Sequence, residues 1–169
     1  MNKEATQIIE KLHLEPHPEG GYFKEVYRSK EHIKQHYLPK EFGGDRNYCT
    51  SIYFLLPSSS FSAFHSIHQD EIWHFYKGDA IELHMISPDG HYQKVVIGND
   101  LLKDEVLQFT VPAQYWFAAK VIKPNSFALV GCTVAPGFDF QDFTLASKRV
   151  MLQKYPQHQK IIEKFCIAS

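Results

Sequence analysis

Residues 61–78 read Phe61-Ser62-Ala63-Phe64-His65-Ser66-Ile67-His68-Gln69-Asp70-Glu71-Ile72-Trp73-His74-Phe75-Tyr76-Lys77-Gly78. Three of the chain's ten histidines fall here, with Asp70 and Glu71 beside them, and Gly78-Asp79 closes the stretch as a turn. Successive side chains of an extended chain point to opposite faces, so Glu71, Trp73 and Phe75 share one face. A carboxylate aligned with two aromatic rings is costly to bury unless it is hydrogen-bonded. The pattern therefore predicts a strand whose inner face lines a small polar site, with His65 and Glu71 as the pair best placed to share it. Strict alternation sends His74 to the opposite face unless a bulge intervenes, and His68 falls in a turn, towards solvent.

Further short strand-like segments flank this one, giving in all 48–56, 61–66, 71–77, 80–87, 92–97, 107–111, 115–119 and 127–134. Turn residues separate them, among them Pro57-Ser58-Ser59-Ser60, Pro88-Asp89-Gly90, Gly98-Asn99-Asp100 and Lys123-Pro124-Asn125. Many short strands at near-regular spacing predict an antiparallel sandwich or barrel. Upstream, Glu19-Gly20-Gly21 marks a turn and 22–28 alternates as a strand with Phe23, Glu25 and Tyr27 on one face. The polar stretch 31–45, broken by Pro39 and Gly43-Gly44, reads as a loop long enough to cover a site. Both ends read as helix. Ala5, Ile8, Ile9 and Leu12 form one apolar stripe ending before Pro16; Ser147 is placed to cap 148–154, and Pro156 to open a last helix through Ile161, Ile162 and Phe165.

At 169 residues the chain is long enough for one domain with a buried core, spanning 1–169 with the strands between about 20 and 145. A net charge of -1 and a pI near 6.8, with no clustered basic face, argue against a nucleic-acid partner. No apolar run approaches bilayer length and Met1-Asn2-Lys3-Glu4 does not open a signal peptide, so no membrane partner and a cytoplasmic location are expected. Cys49, Cys132 and Cys166 contain no C-x-x-C pair, which points to neither a disulfide framework nor a zinc knuckle.

The 61–78 stretch resembles the first motif of the cupin superfamily, in which a histidine pair precedes a glutamate and a glycine follows. Glu71 and Gly78 keep that interval, His65 stands near the first histidine, and Ile67 occupies the place of its partner. Pro112-Ala113-Gln114-Tyr115-Trp116-Phe117 resembles the second motif, with Gln114 in place of its glycine and Phe117 in place of its histidine. The chain is most similar to the small single-domain cupins of uncharacterised function with a His-Pro-Glu-Gly-Gly-Tyr signature, carried here by His17 to Tyr22 and followed by Glu25, Tyr27 and Arg28. Further matches, Ser51 to Leu55, Asp70 to Phe75, Val111 to Ala113 and Val130 to Phe138, run in order over most of the chain. The resemblance implies a mainly β fold: a cupin-type antiparallel β-barrel (double-stranded β-helix, or jelly-roll) with flanking N- and C-terminal α-helices, assembling as a homodimer.

Such a barrel encloses packed side chains or one small ligand. Phe64, Trp73, Phe75, Trp116 and Phe117 are candidate walls, although core packing is the commoner role for any one of them alone. Glu25, Arg28 and His74 are candidate ligand contacts, with an ordinary salt bridge as the plain alternative for the first two. A cupin metal site wants three imidazoles and a carboxylate, or at least two histidines and one carboxylate. His65 and Glu71 supply two donors, so no cofactor is expected unless His74 or His84 is recruited. By resemblance to metal-independent sugar-nucleotide epimerases, the leading expectation is a pocket for a small polar, sugar- or nucleotide-like molecule with epimerase- or isomerase-type acid–base chemistry. There His65 would be the base, Glu71 would orient it, and Tyr22 or Tyr53 would be the acid. The alternatives are a metal-dependent isomerase or dioxygenase, and a binding module that catalyses nothing.

Overall fold

The computed structural model describes residues 2–167. In chain order its elements are α1 (Lys3–Leu12), β1 (Glu15–Pro16), β2 (Tyr22–Arg28), β3 (His32–Ile33), β4 (Arg46–Asn47), β5 (Thr50–Pro57), β6 (Ser62–Ser66), β7 (Asp70–Gly78), β8 (Ile81–Ile86), β9 (Tyr92–Ile97), β10 (Gln108–Val111), β11 (Trp116–Val121), β12 (Phe127–Ala135), β13 (Thr144–Leu145), α2 (Lys148–Lys154) and α3 (Gln159–Phe165). Two antiparallel sheets carry the fold, in the orders β1-β2-β5-β12-β7-β10 and β13-β6-β11-β8-β9. Each interleaves early and late strands, as a jelly-roll requires. The main core lies between them, where Phe54, Trp73 and Val130 of the first sheet meet Leu83, Met85 and Phe117 of the second.

The helices cover outer faces. In α1 the Asn2 side chain accepts hydrogen bonds from the Glu4 and Ala5 amides, and His13 ends the helix in the left-handed region. Its buried Ala5 packs with Leu55 and Phe127 on the back of the larger sheet. Behind the smaller sheet, Phe64, Ile86 and Ala118 pack against Met151, Tyr155, Ile162 and Phe165. Ser147 precedes α2 as its spacing predicts, without a side-chain cap, while Pro156 opens a single 3-10 turn from which α3 follows. No helix among the described residues is long and apolar enough to cross a membrane.

Two bulges decide which side chains face inward. In β2, Glu25 pairs with Ile52 and Tyr27 with Ser51, leaving Val26 as the extra residue. Glu25 and Arg28, three positions apart, thereby reach the same side. In β6, His65 pairs with Phe117 and Ser62 with Ala119, so two residues of β6 oppose one of β11. Ser62 and His65 then both point inward, and Phe64 points out to the helices.

The turn before β2 is tight. Gly20 sits at φ +110 with a hypothetical Cβ 2.2 Å from the Phe61 carbonyl oxygen, and Gly21 at φ +74 abuts the Phe54 ring. Neither place admits a side chain. The turn is held by hydrogen bonds from the Gly20 amide to the His17 carbonyl and from the Ala63 amide to the Glu19 carbonyl. Gly20→Ala should cost at least about 2 kcal/mol through backbone strain and displacement of 60–61. Denaturant unfolding of the variant checks this, and an unchanged midpoint would show that the turn relaxes freely.

Candidate functional site

The inner faces of β2, β5, β6, β7 and β12, closed over by residues 138–143, enclose a cavity of about 270 Å³. Its floor carries Glu19, His65, Glu71 and Cys132, and aromatic side chains including His17, Phe54 and Phe143 form much of its wall. The cover is the segment after β12, where the Phe138, Phe140 and Phe143 rings meet edge to face at 5.0–6.5 Å. The predicted cover, 31–45, lines none of the cavity. It acts indirectly: Arg46, lying over the Phe42 ring, makes a buried bidentate pair with Asp142 at 2.7 and 2.6 Å, and Gln69 donates to the same carboxylate at 2.7 Å. The cover is thus tied to the body by a charge pair that costs much to break.

Glu19 is the centre of the floor. Its carboxyl accepts from the Ser62 hydroxyl at 2.8 Å and lies 3.0 Å from His65 Nε2. His65 Nδ1 stands 2.7 Å from the Ala63 carbonyl, which can only accept, so Nδ1 carries a proton. Burial raises the Glu19 pKa well above the ordinary carboxyl range, with Glu71 adding to the rise, and lowers that of His65 to about 3. The pair is therefore a neutral carboxylic acid donating to a neutral imidazole. His17 stacks on Phe140 at 5.9 Å, accepts from the Glu19 amide at Nδ1, and is held by burial to a pKa of about 4.

Glu71, nine-tenths buried, faces the cavity and makes no salt bridge among the described residues. The Cys132 thiol and the buried Trp73 indole N–H stand beside it and partly offset a burial-driven rise of its pKa to about 7. Two carboxyls thus share one cavity in different states, Glu19 held neutral and Glu71 poised near neutrality.

Several sequence expectations need correction. His65 and Glu71 do share the pocket, but Glu19 and not Glu71 orients His65, and both imidazole nitrogens are engaged, which leaves no free base there. Tyr22 and Tyr53 face the opposite side of the larger sheet, near α1, so neither reaches the pocket as an acid. His74 also faces outward, bonded to Gln108 and Thr133. Phe64 and Trp116 pack under the C-terminal helices, and Phe75 joins the central core. Trp73 and Phe117 are buried core rings that back the site, with Phe117 at 4.0 Å from the His65 ring. Glu25 and Arg28 do line the cavity, as an ion pair at 2.7 Å in which Arg28 also holds Asn47 and the Phe138 carbonyl. Sequence reasoning passed over His17, Glu19 and the 138–143 rings; the acid set before two turn glycines was the available signal for Glu19.

The donors expected from the sequence do not come together as a cupin metal site. His65 is spent on Ala63 and Glu19, Phe117 replaces the second-motif histidine, His74 faces away and His84 packs beside Phe165. No group of three or more candidate ligands is arranged for an ion among the described residues.

Comparison with known proteins bears on the fold and not on the chemistry. The profile described as "Cupin superfamily (DUF985)" matches residues 6–146. The uncharacterized protein YML079W of Saccharomyces cerevisiae is 33% identical over 147 residues, covering 82% of this chain and 73% of that protein. Crystallographically determined protein SO0799 from Shewanella oneidensis superposes with a TM-score of 0.88 at 36% identity, over 100% of this chain and 99% of the other. A hypothetical protein from Leishmania major gives 0.88 at 33% identity, over 99% and 100%. Oxalate decarboxylase from Bacillus subtilis shares the fold alone, with a TM-score of 0.54 at 13% identity over 89% of this chain and 36% of that one.

The carboxyl states give a signed pH dependence. Glu71 titrates at about 7 when folded and near 4.5 otherwise, so its neutral form contributes stability that is complete below pH 4.5 and lost as pH rises to about 7. His17 and His65, depressed from 6.5 to about 4 and 3, act oppositely: their contribution is complete above pH 6.5 and lost as pH falls through the folded values. Glu71→Gln removes only the first effect. Relative to wild type the variant should gain on the order of 3 kcal/mol between about pH 4.5 and 7, and nothing beyond. Denaturant curves across that range check it; a difference independent of pH would mean that Glu71 titrates as an ordinary carboxylate.

Proposed function

This chain belongs to the cupin superfamily, in the DUF985 family, and on that premise we propose that its pocket binds a small polar molecule and moves a proton on it. The observation that carries the reading is the pair of unlike carboxyls, Glu71 poised near neutrality and Glu19 held as an acid against His65. Ionised Glu71 takes a proton from a carbon beside a carbonyl; the Glu19 acid turns its one proton from His65 to the carbonyl oxygen, and return of both protons, that on carbon to either face, completes an isomerisation or epimerisation. No metal enters this scheme.

Size and charge narrow the ligand. A cavity of about 270 Å³ suits a body of monosaccharide size. Arg28 is the one Lys or Arg of the lining, and it is already bound to Glu25, Asn47 and Phe138. Phosphate recognition normally uses free cationic donors or a helix N-terminus. The lining therefore favours an unphosphorylated ligand over a nucleotide.

We also propose that the protein is a homodimer. β1 covers β2 only at Tyr22 and Phe23, which leaves the rest of that edge open for pairing, with Val26 and Tyr27 exposed. Light scattering should give about twice the 19.6 kDa chain mass, and a monomer mass at micromolar concentration would refute it. For the chemistry, the protein is incubated in D2O with a panel of small aldoses, ketoses and amino sugars, and deuterium uptake at carbon is followed by NMR. Exchange with at least one compound is expected, slowed about a hundredfold or more in Glu71→Gln and in Glu19→Gln. Binding without exchange across the panel would make the pocket a binding module instead.

A further inference from the structure

The charges around the cavity do not balance. Besides the neutral Glu19 acid, Glu25, Glu71 and Asp139 line it, against Arg28 as the one Lys or Arg among the described residues, and the Arg28 charge is spent on Glu25. The two lining histidines add no positive charge, since burial keeps both neutral. Glu71 is nine-tenths buried, faces the cavity and pairs with no cation among the described residues. A buried carboxylate without a partner is expensive, and a site that keeps one is short of a positive charge.

The cover supplies a second, independent observation. Phe138, Phe140 and Phe143 stand mutually edge to face, and Phe140 stacks on His17 while remaining half exposed. Aromatic rings that line a cavity can offer a negative face to a bound cation, and such attraction strengthens when water is excluded. Asp139 lies between two of these rings in sequence and also lines the cavity.

We infer that the ligand of this pocket is a small organic cation, carrying a protonated or quaternary amine held against the Phe138, Phe140 and Phe143 rings in reach of the Glu71 and Asp139 carboxylates. The inference rests on the acid–base reading above and specifies its substrate class. A cation in the cavity favours the ionised form of Glu71, the form that accepts a proton, so the substrate itself would arm the base.

The test uses three probes of matched shape: benzylamine, which is cationic, benzyl alcohol, which is neutral, and benzoate, which is anionic. Each is titrated into the full-length protein at about pH 8, above the Glu71 value of about 7, with binding read from amide chemical shifts in NMR. Benzylamine should bind at least about tenfold more tightly than benzyl alcohol, as expected for a charge paired out of water. Glu71→Gln should bring the two close to parity. Phe140→Leu, at an exposed position where folding is not at stake, should weaken the amine by about two- to fivefold and leave the alcohol unchanged. Equal binding of amine and alcohol to the wild type, or an amine preference untouched by Glu71→Gln, overturns the cation inference while the acid–base reading stands. Tightest binding by benzoate overturns both, and no binding of any probe overturns the cation inference.

Discussion

A carboxyl group delivered from outside the strands organises this molecule. Glu19 reaches the interior only because two glycines let the chain turn where Cβ atoms would collide with Phe61 and Phe54. Once inside, it is held by Ser62 and His65, two residues that a bulge in β6 turns to the same side. In exchange, the Glu19 carbonyl takes the Ala63 amide and fixes the position of β6. The turn, the bulge and the neutral acid–imidazole pair are therefore one constraint, and an uncompensated carboxylate at that depth would be several kcal/mol less stable.

Much of the fold was legible because its signals are local. Alternation of Glu71, Trp73 and Phe75 told that Glu71 faces inward, and the same rule sent His74 outward to Gln108 and Thr133. The site was less legible because its members meet through long-range geometry. Arg46 and Asp142, 96 residues apart, set the aromatic cover over the cavity, and no periodicity announces such a pair. Tyr22 and Tyr53 failed for a simpler reason: each is one position away from a residue that does face the pocket, Phe23 and Phe54, and alternation excludes it. His65 failed chemically and not spatially, since a histidine inside a pocket is a base only if a nitrogen is free.

The cover and the floor also answer to different physics. The floor is set by desolvation, which keeps both histidines neutral and lifts both glutamates. The cover is set by one buried ion pair with Gln69 as a third member, an arrangement that specifies a geometry more than it adds stability. Residues 138–143 can thus vary in their rings while keeping their place.

The bulge at Val26 has a bearing on how such sites change over time. Glu25 and Arg28, three positions apart, meet across the cavity wall because Val26 bulges out of the ladder between them. Position along the chain, and not side-chain identity alone, is thus part of the site's specification. A regular ladder through the same residues, with no bulge at Val26, would leave every side chain of the strand intact, yet swing the guanidinium to the outer face and strip the wall of its one permanent cation. A lineage could in this way alter the charge of its ligand by changing the pairing of residues and none of their kinds.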